Sequence, residues 1–283
     1  MKTLHQAYST THGLSLLREL AGEGNLIFDV AAAKKAAKRV RMPASYLSEA
    51  LSRLSRTEWL KRLRRGLYAT SGTIAGGLQV HPFAIATRLV APSAISHWSA
   101  MSHHGLTEQI PRHVTAMTTT KVITPSMRRG AGRCPGKHTW DVLGVRYEYV
   151  VVRQGHYFGI EEVWVDQAFK VPMTDKERTA LEAFISPGFF GGLSQGIAIL
   201  EEHRGDLDLE KLVKHALTYG KASVIKRLGW ALEECGAPEK SLRPLRNVPV
   251  SGFRILDPTR PKRGQCIARW MVQDNVTNQG DSE

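Results

Sequence analysis

The chain has 283 residues, 42% of them hydrophobic, and sets 39 Lys+Arg against 26 Asp+Glu for a formal charge of +13. A core of ordinary size for one large domain or two smaller ones can form, and so basic a balance points to an anionic partner. Three widely spaced cysteines, Cys134, Cys235 and Cys266, form no CxxC pair and read as reduced thiols, and no apolar run reaches the roughly 20 residues of a membrane span, so a soluble cytoplasmic protein without a zinc framework is expected.

The opening MKTLHQAYSTTHGLSLLREL lacks the continuous apolar stretch of a secretion signal. Its Leu14, Leu16, Leu17 and Leu20 are spaced for an amphipathic helix that Gly22 and Gly24 end. Asp29 is placed to N-cap VAAAKKAAKRV, with Ala31, Ala32, Ala36, Ala37 and Val40 available for one side. Pro43 stops that helix and restricts Met42. In the next segment, 44–57, Leu47, Ala50, Leu51 and Leu54 recur at i, i+3, i+4 and i+7, an inward stripe of a third helix. Its other face offers Ser45, Tyr46, Ser48, Glu49, Ser52, Arg53 and Arg56, groups suited to base edges and phosphates.

LKRLRRGLYAT follows, with Lys61, Arg62, Arg64 and Arg65 ahead of Gly66. The glycine marks the turn of a short hairpin, and the opposite parity of Leu60 and Leu63 calls for a bulge or fray. A charge run taken alone is usually a solvated face. Here it ends the order helix, helix, turn, helix, hairpin, which is that of a winged helix-turn-helix, with the third helix in the major groove and the wing against the backbone or minor groove. Charge follows the same division: residues 1–72 hold 13 basic and 5 acidic side chains, and the remaining 211 hold 26 and 21.

The expected organisation is therefore a winged-helix domain over 1–72, a linker over 73–80 in the glycine-rich SGTIAGGLQVHP, a larger mixed α+β domain over 81–272 and a polar tail over 273–283. In the second domain HPFAIATRLVAP and SAISHWSAMSHHGL read as two helices, the latter closed by Gly105. Strands are expected in RHVTAMTTTKV, on both sides of Gly144, and in EEVWVDQAFKVPM. Thr174 and Glu177 form a capping box for a helix closed by Pro187, and helices follow near 192–203, 208–219 and 221–235. SGFRILDP and QCIARWMV read as a closing strand pair.

No catalytic constellation is complete. His81, His97, His103, His104 and His113 lack metal-ligand spacing, and HExxH, GxSxG and GxxxxGK[ST] are absent. The glycines of SPGFFGGLSQG read as a turn before a helix. The chain is therefore expected to be no enzyme, with no cofactor, no metal and no catalytic residue.

RRGLYA followed in register by HPFAIATRLVAPSAISHWSAMSHHGLTEQIP resembles the AbiEi antitoxins of bacterial type IV toxin–antitoxin systems, as do DKERTALEAFISP with its downstream Gly-Gly pair and LDP..P..G with Arg-Trp. The resemblance spans roughly 10–272. It implies an N-terminal winged helix that represses its own operon at inverted repeats, and a second domain that counters a nucleotidyltransferase-like toxin without a stable complex. DNA contact then falls to Lys61, Arg62, Arg64, Arg65 and the outer face of 44–57. Two other readings stay open: a ligand-responsive repressor, and a metal-dependent nuclease using His103, His104 or Asp175.

Overall fold

The computed structural model describes residues 2–71, 79–124 and 138–276, with side chains from residue 12 onward. Most of the expected 73–80 linker and the tail beyond 276 thus lie outside the described residues. The chain is mixed α+β and divides into two compact units: 1–93 with 120–149 and 162–172, and 94–119 with 150–161 and 173–283. Residues 81–93 accordingly fall in the first unit, not with the segment that follows them. Among the described residues no helix is long and apolar enough to cross a membrane.

The first unit begins α1 (Lys2–Gly22), β1 (Ile27–Asp29), α2 (Val30–Arg39), a 3-10 turn at Ala44–Tyr46, α3 (Leu47–Arg56), β2 (Leu60–Arg64) and β3 (Leu67–Thr70). The three strands lie in the order β1-β3-β2. Leu16, Leu17 and Leu20 of α1, Ala33, Ala36 and Ala37 of α2, and Leu47, Ala50, Leu51 and Leu54 of α3 share one core with Phe28 and Leu60. Ala33, not Ala31, completes the buried face of α2: three residues before Ala36 is one helical ridge, five before is not. Asp29 Oδ1 accepts the Ala32 N–H at 2.8 Å and caps α2 as expected. Asp29→Ala is expected to cost about 1 kcal/mol of first-unit stability, measured by chemical denaturation.

Later in this unit come α4 (Pro82–Leu89), capped by His81 Nδ1 at 3.1 Å from the Phe83 N–H, and a hairpin of β6 (His138–Val142) with β7 (Val145–Val151), turned at Leu143 and Gly144 as the sequence predicts. With β4 (Ser93–Ile95), β5 (Val114–Thr118), β8 (Ile160–Trp164) and β9 (Lys170–Thr174) they make six strands in the order β6-β7-β5-β4-β9-β8. Ser93–Ile95, expected to open a helix, is a strand, and α5 spans only His97–His103, closed by Gly105 at φ 68°. EEVWVDQAFKVPM supplies two strands where one was expected.

The second unit gathers α6 (Lys176–Ile185), α7 (Ser194–His203), α8 (Leu209–Tyr219), α9 (Ala222–Glu234) and α10 (Glu239–Arg246) around a core that includes Phe184, Leu228, Trp230 and Trp270. No capping box forms, and the cap lies one residue later than expected. Asp175, not Thr174, accepts the Arg178 N–H at 2.7 Å, because Thr174 still belongs to β9 and its Oγ1 lies 2.8 Å from Thr179 Oγ1. Gln265–Ile267 and Arg254–Ile255 do not pair with each other: each pairs with a third strand, β12 (Val272–Asp274). That strand occupies the start of the expected tail, and Asn275 beyond it is buried, its Nδ2 donating to Asp257 O at 2.8 Å. (β10 is Arg254–Ile255 and β11 Gln265–Ile267.)

The motifs of this unit meet one another. Asp257 of LDP accepts the Leu193 N–H at 2.9 Å, which fixes the Gly191–Gly192 turn, and at Gly192 a Cβ would stand 3.0 Å from the same carboxylate. Trp270 packs against α9 at Gly229, where a Cβ would fall 2.1 Å from the ring, and its Nε1 donates to Glu233 at 2.6 Å. Lys226 and Arg227, both buried, donate to main-chain carbonyls: Lys226 Nζ to Leu245 and Arg246 at the end of α10, Arg227 to Phe184, Ile255 and Leu256.

Asp175 also faces α8, where His215 Nε2 is 3.0 Å and Lys211 Nζ 3.3 Å away. Burial favours its protonated form, but the bonds from His215 and Arg178 N–H and the Lys211 charge outweigh that and hold the carboxyl below its ordinary value. A depressed carboxyl contributes stability above the ordinary carboxylate range and loses it as pH falls through the lowered value. Asp175→Asn should therefore melt below the parent protein at about pH 7 and approach it at about pH 3, read by thermal denaturation at both.

Candidate nucleic-acid interface

The ten residues expected to face DNA all sit in the first unit, on the 3-10 turn, α3 and the β2–β3 hairpin. Burial of the Leu47–Ala50–Leu51–Leu54 ridge turns the opposite side of α3 outward. There Ser45, Ser48, Ser52 and Arg56 are exposed, spaced by three and four residues on one ridge. Among the described residues the hydroxyls of Ser45, Ser48 and Ser52 have no hydrogen-bond partner. Ser55 and Thr57 differ: they donate back to the carbonyls of Leu51 at 2.8 Å and Arg53 at 3.1 Å. The ridge thus keeps donors and acceptors that a base edge or phosphate can use.

Tyr46 and Arg53 are less available. Both are half-buried; the Tyr46 ring packs against the helical core, and Arg53 Nη2 lies 3.3 Å from Glu49, one turn back on α3. They support the ridge more than they extend it.

The hairpin is built as its sequence requires. Lys61 pairs with Ala69 and Arg62 with Tyr68, the register then shifts, and Arg64 pairs with Leu67. The bulge lets Leu60 and Leu63 both point inward, at 1% and 5% exposure, despite their opposite parity. Gly66 takes φ 77° at the turn, where a residue with a Cβ would be strained. Arg62, Arg64 and Arg65 are exposed, and among the described residues neither they nor Arg56 has a carboxylate within ion-pair distance. Lys61 is half-buried and lies 3.2 Å from Glu58. Its charge is partly offset, so the three arginines dominate the hairpin.

One cation escaped the sequence reading. Arg41 is exposed in the turn between α2 and the 3-10 segment, at φ 56°, four residues before Ser45. Its only signal was position, a cation just before the Met-Pro break. By contrast Arg39 of α2 is tied to Glu19 and Glu23 of the unit's own surface.

The residues of the nuclease reading are engaged elsewhere. His104 Nε2 lies 2.7 Å from Thr174 O, its ring is edge-on to His103, and Asp175 caps α6. His97 is buried with Nδ1 2.8 Å from Ser96 Oγ, while its N–H donates to Glu182 at 2.6 Å. Among the described residues no three His, Cys, Asp or Glu side chains converge as a cation site.

No family model and no curated protein matches the chain. Its fold is similar to the crystal structure of the RV2827C protein from Mycobacterium tuberculosis, with a TM-score of 0.62 at 15% identity over 94% of this chain and 92% of that one. At that identity the likeness concerns the fold alone.

Proposed function

We propose that the first unit binds double-stranded DNA as a winged helix-turn-helix, with α3 in the major groove and the β2–β3 hairpin along the backbone. On this reading the chain represses its own promoter at paired repeats, as the antitoxin of a type IV toxin–antitoxin system. What carries the DNA half is one juxtaposition: a ridge of serine hydroxyls on α3 unengaged among the described residues, followed in the chain by a hairpin whose exposed arginines have no carboxylate partner among them. Hydroxyls and guanidiniums so arranged divide the work of recognition, the first reading bases and the second holding phosphates. The antitoxin half rests on the sequence resemblance, and its test is co-expression of the whole chain with the product of a neighbouring nucleotidyltransferase-like gene. Rescue of growth is expected, and unrelieved toxicity would leave a repressor only.

The DNA half is tested by fluorescence anisotropy on the chain's own promoter and on base-substituted variants. Ser48→Ala and Ser52→Ala should change the ranking of these sites, by about 1–3 kcal/mol at the base pair each residue reads, and leave affinity for random DNA nearly unchanged. An unaltered ranking in both variants would remove α3 from the interface.

A further inference from the structure

A second positive site lies in the second unit, where the ends of α8 and α9 meet the connection from β7 to β8. His156, in a 3-10 turn of that connection, stacks on Tyr219, the last residue of α8, at 4.1 Å between ring centroids. Arg178 of α6 sits beneath: its guanidinium is 5.2 Å from the Phe158 ring and 6.0 Å from that of Tyr219, and Nη2 donates to His156 O at 3.5 Å. The backbone is pressed onto it, since a Cβ on Gly159 would fall 2.8 Å from Arg178 Cβ.

Two features of this arrangement are incomplete. Arg178 is 2% exposed, yet among the described residues its Nε and Nη1 have no hydrogen-bond acceptor. Glu182 Oε1 forms a buried ion pair with Nη1 at 3.3 Å but is not aligned for a hydrogen bond, so the guanidinium has a counter-charge while its donors stay unused. A buried guanidinium with donors left over lacks acceptors that an oxyanion supplies in pairs. The rim is also uncompensated: Arg153 and Lys221 are exposed and have no carboxylate partner among the described residues. Lys221 is moreover the N-cap of α9, whose first turn has neither a side-chain cap nor an acidic residue, while the C-terminal end of α8 at Tyr219 opposes that dipole and leaves the side-chain cations as the main positive charge.

We infer that this junction binds a phosphate monoester, held by Arg153, Lys221 and Arg178 beside the stacked His156–Tyr219 pair. The surrounding charge is already felt by the imidazole: burial first, then Arg153, Arg178 and Lys221, lower the His156 pKa from its ordinary value. An anion seated here neutralises those cations and relieves part of that depression.

The test compares inorganic phosphate, a nucleoside 5′-monophosphate and a 5′-phosphorylated oligonucleotide, each against chloride at matched ionic strength. Binding is followed by thermal shift of the whole chain and by NMR titration of His156. Expected are a rise in Tm and an upward move of the His156 titration, with affinity about tenfold or more weaker in Arg153→Ala/Lys221→Ala. Both replaced residues are exposed, so that variant tests the site without emptying the core. Binding of inorganic phosphate alone would identify a free-phosphate site, and binding only of the nucleotide or oligonucleotide would bring in stacking on the ring pair. No shift with any of the three, or a shift undiminished in the double variant, overturns the proposal. A variant lacking the wing arginines should retain the effect, which keeps this outcome separate from that of the DNA reading.

Discussion

Replacing Lys61, Arg62, Arg64 and Arg65 together with alanine should abolish measurable promoter binding at physiological salt while leaving the fold intact. The argument is electrostatic. Arg62, Arg64 and Arg65 are exposed and have no carboxylate partner among the described residues, so their charge is available to phosphate. Each phosphate neutralised releases condensed counterions, so affinity falls by about 0.9 log units per log unit of salt per contact. Removing three or four contacts should flatten the salt slope by about 3–4, and affinity should drop for specific and random DNA alike. Lys61 should contribute least of the four, because Glu58 stands 3.2 Å from its ammonium. Anisotropy titrations over a salt series check both slope and intercept. A variant whose slope matches that of the parent would show that the hairpin does not touch the backbone.

Arg227→Met should produce the largest loss of stability, about 3–5 kcal/mol. The guanidinium is buried and donates to the carbonyls of Phe184, Ile255 and Leu256, so it ties the end of α6 and strand β10 to α9. Burial pulls its pKa down to about 10, only partly offset by Asp257, and it stays charged at neutral pH. Methionine fills much of the volume but leaves those carbonyls without a donor, each costing about 1–3 kcal/mol where water cannot reach. For a unit of this size the drop in Tm should be on the order of 10 °C. Arg227→Lys keeps one donor group and should fall between. Thermal and urea denaturation followed by tryptophan fluorescence reads the effect, since Trp230 and Trp270 are buried in the same core. A loss under about 1 kcal/mol would mean that the chain relaxes to rebond the carbonyls.

Local signals were the legible ones. The stripe of α3, the Asp29 cap, Gly66 and the bulge between Leu60 and Leu63 are each decided within a few residues, and each appears where the sequence puts it. What stayed hidden depends on distant partners. β1 is three residues long and exists because Ile27–Asp29 pairs with Leu67–Ala69 some 40 residues on. Thr174 and Asp175 are both good caps, and only the pairing of β9 with β4, Ile95 opposite Met173, assigns the first to a strand. α10 carries Pro244 in its interior, which argues against a helix until Lys226 is found bonding its last carbonyls. Lys226 and Arg227 themselves look like a solvated face of α9 in sequence. The candidate interface was legible by residue type, whereas the inward lean of Tyr46, the partner of Arg53 and the position of Arg41 required the fold.

The bulge in β2 has a further consequence, for changes of length. In a regular strand Arg64 would share a face with Leu60, and the one-residue slip in register beyond Arg62 is what separates it from that face. Substitution of any one residue there removes one contact. Deleting Lys61 or Arg62 would straighten the strand and still leave Leu60 and Leu63 two residues apart on the inward face, with Arg64 outward. The bulge therefore lets this strand carry one more cation between its two inward leucines than a regular strand could hold, and a one-residue deletion there should cost a charge sooner than the fold.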